Sequence, residues 1–239
     1  MANPAGTMVK KWMHSLYESS NHQNYDNILS LMDPNPTAKL LDLGCDDGKW
    51  TKRVAGKLRT RSISGIEIIP ERAAIARREG IEVTEGDLAK PLTLEADSFD
   101  VVHANQVIEH VPDIDLFTRE IFRVTKPGGY AVVSTENASS WHNLGAMALG
   151  FQMFSLTNVS ALRGGLGNPF AIHRDTKHEF SSWTHKTIFS YQGLLELFVA
   201  HGFERVEIKG AGYYPLPASL GIVDPRHAHF ITARAYKPR

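Results

Sequence analysis

The residues best equipped for chemistry begin in LLDLGCDDGKW, residues 40–50, which brings Asp42, Gly44, Asp46, Asp47 and Gly48 close together. Two glycines there permit a tight turn in which backbone approaches a ligand more closely than a Cβ would allow. Glu67 closes SISGIEI, where a carboxylate can accept hydrogen bonds from both hydroxyls of a ribose. Asp87, in EGDL, is placed to accept from an adenine amino group. Asp42, Glu67 and Asp87 together make a consistent nucleoside site.

Such residues must sit on elements that bring them together. From Lys39 onward, short apolar runs (KLLDL, SISGIEI, IEVTEG, SFDVVHA, GGYAVVSTE) alternate with helical patterns at 48–57, 71–79 and 113–124. That alternation predicts a parallel sheet wrapped by helices. SYQGLLELFVAHGF reads as a helix ended by Gly202, and ERVEIKG and HAHFITARAY read as two closing strands. Residues 8–32 have helical spacing and stop at DPNP, giving a helical preface over 1–36. Residues 137–188 fit no such rhythm, and a structureless loop of that length is improbable unless functional. They read as an inserted lid over the site, within one domain spanning 1–239.

Composition narrows the function. Lys plus Arg equals Asp plus Glu at 26 each, so no global field gathers polyanions and a dedicated nucleic-acid binder is disfavoured. Cys45 is the single cysteine, which excludes an intrachain disulfide and a cysteine-based zinc site; it reads as a small buried side chain beside the ligand. With no apolar run long enough for a signal peptide or a membrane span, the expectation is a soluble, cytoplasmic protein.

Charge selects the nucleoside. A dinucleotide pyrophosphate favours G-x-G-x-x-G and a turn without anions. Here the glycines are Gly44 and Gly48, and Asp42, Asp46 and Asp47 crowd the turn. That turn suits a ligand with an ammonium group and a sulfonium, which is S-adenosylmethionine, and argues against a nicotinamide cofactor. Together LLDLGCDDGKW, GIEIIPERAAIARREG, EGDL, SFDVVHANQVIEHVPD, RVTKPGGYAVVSTEN and FSYQGLLELFVAHGF resemble a class I S-adenosylmethionine-dependent methyltransferase over roughly residues 25 to 210. The resemblance implies an α/β, Rossmann-like, seven-stranded, mostly parallel sheet with helices on both faces and its last strand antiparallel. It carries ribose binding to Glu67, adenine binding to Asp87 and methionine-end contacts to Asp42 and Gly44. The full expected cofactor set adds Cys45, Asp46, Gly48, Ile68, Leu88 and Asn105. Asp46 departs from the family, which usually has glycine there; Asp tolerates left-handed backbone better than most residues.

Methyl transfer needs alignment and a dry site, and a base chiefly when the acceptor's proton must leave. His103, Asn105 and Gln106 follow the fourth strand, where the family places reacting groups. Gln106, Glu109 and His110 would share a face if a helix starts there. A Glu-x-x-Glu-His pattern with a later histidine binds a divalent ion in some family members; here Gln106 replaces the first Glu, and His178 or His185 would complete the set, so no metal is expected. Among the lid histidines His173, His178 and His185, His185 is the expected catalytic residue. Trp141, Phe151, Phe154, Phe170, Phe180 and Trp183 line an acceptor pocket or form the lid's own core. His227 and His229 read as structural. The expectation is methylation of a small molecule, at oxygen ahead of nitrogen or carbon. The competing readings are an RNA-modifying or metal-assisted methyltransferase, and a cofactor-binding partner protein without catalysis.

Overall fold

The computed structural model describes residues 4–177 and 180–239. Seven strands form one sheet: β1 Lys39–Leu43, β2 Ser62–Glu67, β3 Glu82–Glu85, β4 Phe99–Asn105, β5 Thr125–Glu136, β6 Glu204–Ala211 and β7 Phe230–Tyr236. Their order is β3-β2-β1-β4-β5-β7-β6. The pairings from β3 through β5 are parallel, and β7 runs antiparallel to both β5 and β6. The chain therefore steps outward from β1 to β3 and then restarts on the other side of β1 at β4. Ligands in open α/β sheets bind beyond the strand ends at this reversal.

Alternation along the strands explains the helices on both faces. Leu40, Val101, Tyr130 and Val132 pack with α1 (Pro4–Ser30) and α2 (Lys49–Leu58) through Ile28, Leu31, Val54 and Leu58. Their neighbours Leu41, Leu43, Val102, Ala131 and Val133 pack with α4 (Ile114–Val124) and α6 (Tyr191–Ala200) through Phe117, Ile121, Leu194 and Phe198. Each such buried apolar side chain contributes about 1.5–3 kcal/mol. Side-chain caps set two helix starts: Asp113 accepts from the Leu116 N–H and Ser190 from the Gly193 N–H. Between β2 and β3, α3 (Pro70–Arg78) begins on a proline, whose φ is already helical.

The irregular stretch predicted between β5 and α6 is an insert closed at its stem. Asn137 bridges Phe189, and the Ala138 N–H donates to the Phe189 carbonyl at 2.8 Å. Fully buried Asn137 also donates to the carbonyls of Arg226 and Ala228, which anchors the stem to the loop before β7. Within the insert, α5 (Trp141–Ala148) is held through Asn143, whose amide donates to the Asn137 carbonyl and the Ser155 hydroxyl. A short helix, α7 (Leu220–Val223), lies between β6 and β7. Among the described residues, no helix is long and apolar enough to cross a membrane.

Candidate active site

Two adjoining cavities open where the strand order reverses. The first, a cleft of about 400 Å³, is walled by residues that leave the carboxyl ends of β1, β2, β3 and β4. Six of the expected cofactor residues line it: Gly44, Asp46, Glu67, Ile68, Asp87 and Leu88, with Asn105 as a seventh. Its size falls within the range of about 300–1,000 Å³ usual for small-molecule sites.

The turn after β1 explains how the cleft forms. Gly44 has φ +74°, and a Cβ there would meet the Val107 side chain at 2.8 Å. Gly48, at φ +79°, begins α2, and its Cβ would stand 2.6 Å from Ile81. Asp46, where the family usually has glycine, adopts φ +48°, within the left-handed region that Asp tolerates. Its N–H donates to Glu67 Oε2 at 2.9 Å, and the Ile69 N–H donates to Glu67 Oε1 at 2.9 Å. Two backbone donors thus fix the Glu67 carboxylate along the cleft wall. The acidic turn is less bare than its sequence suggests: Asp46 pairs with Arg72 at 3.2 Å, and Asp47 pairs with Lys49 at 2.8 Å. The Lys49 bonds also hold the Asp47 carboxyl below its ordinary value. Asp87 is oriented by the Ala89 N–H, which donates to its Oδ1 at 2.9 Å.

Three expected residues stand outside the cleft wall. Asp42 is buried behind it, accepting from Thr51 Oγ1 at 2.5 Å and lying 2.6 Å from His103 Nδ1. Both carboxylate oxygens are thereby engaged in tying α2 to β1 and β4, and Asp42 itself does not line the cleft. His103 is buried with it and borders neither cavity. The Cys45 side chain packs into an apolar cluster with Ala73, Ala76 and Ile81. Burial pushes its thiol up to about 12, so it is an inert core group. Gly48 shapes the turn from behind. Asn105 accepts from the Asn24 amide of α1 at 3.2 Å, which joins the cleft to the helical preface.

The second cavity is a chamber of about 900 Å³. Gln106, His110 and Trp183 line both cavities and form the passage between them. No α-helix starts at Gln106: it takes φ +55°, and one 3₁₀ turn, Ile108–His110, follows. Gln106, Glu109 and His110 nevertheless all face the chamber. Its other walls come from the insert, from α1 and from the residues around Tyr214 and His229. Phe154, Phe170 and Trp183 line it, whereas Trp141, Phe151 and Phe180 do not. His173 borders it as well, and His178 lies outside the described residues.

One wall of the chamber carries a trio in which Glu109 and His185 are buried and His110 is half-buried. Glu109, His110 and His185 each offer a ligand atom, all within 4.8 Å of one another. Glu109 is fully buried; its Oε2 accepts from Thr135 Oγ1 at 3.0 Å, and its Oε1 has no hydrogen-bond partner among the described residues. Burial, aided by repulsion from Glu136, pushes its carboxyl up to about 8. His185 Nδ1 lies 2.5 Å from the Ser155 carbonyl oxygen, which can only accept. Nδ1 is therefore the protonated donor of this bond, and Nε2 is the ring nitrogen it leaves for other partners. His110 Nδ1 is likewise turned to the Thr184 carbonyl at 3.2 Å. The Lys186 and Thr187 N–H groups both donate to the Glu109 carbonyl, fastening the end of the insert over the trio.

Sequence reasoning set His229 aside as structural, yet it lines the chamber, as do His142, Glu136 and Tyr214. His227 instead sits in a 3₁₀ turn, stacked on Trp141. Alternation on β7 carried no signal for His229, because the strand begins one residue later at Phe230.

A family model for the methyltransferase domain matches residues 13–208. Among curated relatives, a demethylmenaquinone methyltransferase of Bacillus cytotoxicus is 24% identical over 222 residues, covering 88% of this chain and 89% of that one. A solved S-adenosylmethionine-dependent methyltransferase of Thermotoga maritima superposes with TM-score 0.60 at 21% identity, covering 96% of this chain and 91% of that chain. Phosphoethanolamine N-methyltransferase 2 of Haemonchus contortus, in complex with phosphomonomethylethanolamine and S-adenosylhomocysteine, has TM-score 0.60 at 15% identity; the match covers 91% of this chain and 53% of that chain. The acidic cleft, the strand order that forms it and the match across most of the chain lead to one conclusion: this chain belongs to the methyltransferase-domain family and is an S-adenosylmethionine-dependent methyltransferase.

Proposed function

We propose that this enzyme methylates a hydroxyl of a small, ring-bearing molecule held in the chamber beneath the insert, within a single domain spanning 1–239. The observation that carries this reading is His185, buried on the chamber wall with Nδ1 bound to a carbonyl and Nε2 left as the basic nitrogen. A hydroxyl acceptor must lose its proton as its oxygen is methylated, and a positioned imidazole is suited to take it. Glu109 keeps its own proton below about pH 8 and offers Oε1 as a donor that can orient the acceptor oxygen.

In the cleft, Glu67 would take the ribose hydroxyls and Asp87 the adenine amino group. Ile68 and Leu88 would supply apolar contact to the base, and Gly44 and Asn105 would border the methionine end. Asp46 contributes through its backbone, by holding Glu67 in place. S-adenosylmethionine, when bound, supplies the activated methyl on its sulfonium. The chain's own part is to align the acceptor through Gln106 and Trp183 at the passage and to exclude water with the insert. The curated relative's name describes methylation of a small molecule, which agrees with a pocket walled by the insert, α1 and the loop before β7.

The test is a methylation assay with isotopically labelled S-adenosylmethionine against phenols, aliphatic alcohols, amines and transfer RNA. A labelled methyl ether supports the proposal; label confined to RNA or to nitrogen overturns it.

One observation favours a second reading. The Glu109, His110 and His185 ligand atoms lie close enough to hold one divalent cation. Such an ion would occupy His185 as a ligand and ionise Glu109, so the two readings exclude each other at His185. Activity lost on chelation and restored by zinc or magnesium would select the metal-assisted reading; activity indifferent to chelator would select the base.

A further inference from the structure

A second polar wall of the same chamber has no part in the transfer chemistry above. It is built by Glu136 at the end of β5, His142 of α5, His229 ahead of β7, and the rings of Tyr17 and Tyr214. His229 Nδ1 and His142 Nε2 are hydrogen-bonded to each other at 3.0 Å. Tyr214 packs edge-on against both imidazoles, with centroids 4.9 Å away, and Phe154 packs against His142. The remaining nitrogens, His142 Nδ1 and His229 Nε2, are buried without a hydrogen-bond partner among the described residues, as is Glu136 Oε2.

Burial pulls His142 down to about 3 and holds His229 well below its ordinary value, so both rings are neutral. In a neutral imidazole pair joined by one N–H···N bond, one ring donates and the other accepts. Whichever ring donates, the two outer nitrogens then comprise one N–H donor and one lone-pair acceptor. Leaving either unsatisfied when the chamber fills costs roughly 1–3 kcal/mol, so the occupant's chemistry is constrained. An ammonium group offers donors and leaves the N–H unmatched. A carboxylate or phosphate offers acceptors, leaves the lone pair unmatched and meets the oxygens of Glu136. Among the described residues lining the chamber, Lys177 alone carries a permanent positive charge. A neutral group that both donates and accepts satisfies both outer nitrogens of the pair.

We propose that the His142–His229 pair, with Glu136, is a specificity subsite for an uncharged ring edge bearing a donor and an acceptor together, such as an amide or a hydroxyl beside a carbonyl. The assignment rests on the reading of the chamber as the acceptor's site and adds the substrate class it takes.

The experiment is calorimetry with a matched naphthalene set at saturating S-adenosylhomocysteine: the carboxamide, the methyl ketone, the methylammonium and the carboxylate. The carboxamide is expected to bind about tenfold tighter than each of the others, the effect of one matched hydrogen bond. His142→Phe should bring the carboxamide to the level of the ketone, and His142→Asn, which keeps a donor and an acceptor, should restore most of the preference. Unchanged S-adenosylhomocysteine affinity in each variant establishes that it is folded. A charged member binding as tightly as the carboxamide, an unchanged preference in His142→Phe, or no binding by any of the four would overturn the proposal. If the preference holds but no acceptor is ever methylated, the catalytic reading of His185 fails while the subsite stands.

Discussion

The cleft and the chamber touch through Gln106, His110 and Trp183, yet they are assembled in opposite ways. Every main cleft residue lies within a few positions of a strand end, and backbone N–H groups hold its key carboxylate in place. The chamber gathers walls from α1, the β4 and β5 ends, the insert and the loop before β7, all distant in sequence. Sheet geometry fixes the first, and side-chain packing among remote segments fixes the second. On the proposed assignment, acceptor specificity falls where the chain can vary without disturbing the sheet.

Variants on either side of the passage should separate the two regions. The largest effect is expected from His185→Gln, which removes the basic nitrogen. It should lower kcat by about 10²–10⁴-fold for a hydroxyl acceptor, read in steady-state kinetics at neutral pH. Glu67→Ala should act on the other region. Loss of a charged acceptor of hydrogen bonds costs about 2–3 kcal/mol, or roughly 30–150-fold in the affinity for S-adenosylhomocysteine.

Glu109→Gln sharpens the comparison through pH. The Glu109 carboxyl is raised from 4.5 to about 8, so between those values the folded chain holds a proton that the unfolded chain has released. Its contribution to stability is therefore greatest below about pH 4.5 and is lost as pH rises to about 8, with a slope on the order of 1.4 kcal/mol per pH unit at most. Urea unfolding of Glu109→Gln across that window should lack this slope. A variant with the wild-type slope would show that Glu109 does not titrate as described. The smallest effect is expected at Asp46→Gly, where glycine suits φ +48° and the backbone donor to Glu67 is retained. Cofactor affinity should stay within about threefold, since the lost Arg72 pair is largely exposed.

Legibility in the sequence follows the same division. Strand and helix order, the turn at Gly44 and Gly48, and the clustering of Glu67, Ile68, Asp87, Leu88 and Asn105 were all readable, because period and local spacing determine them. The partners of Asp42, His103 and Thr51, were not readable, because they meet only once β1, β4 and α2 are assembled. The insert's position was readable from its broken rhythm, but its walls were not. No local pattern brings His142 to His229, 87 residues away. The spacing of Gln106 to Glu109 and His110 would fit a helix, but the chain bends at Gln106, which lines both cavities.

On the proposed reading, one site holds the cofactor and an adjoining one activates the acceptor. Calorimetric titration of S-adenosylhomocysteine into the wild-type, Glu67→Ala and His185→Gln proteins separates the two. Affinity should be weakened by about 30-fold or more in Glu67→Ala and unchanged in His185→Gln. Equal weakening in both, or full affinity in Glu67→Ala, would contradict it.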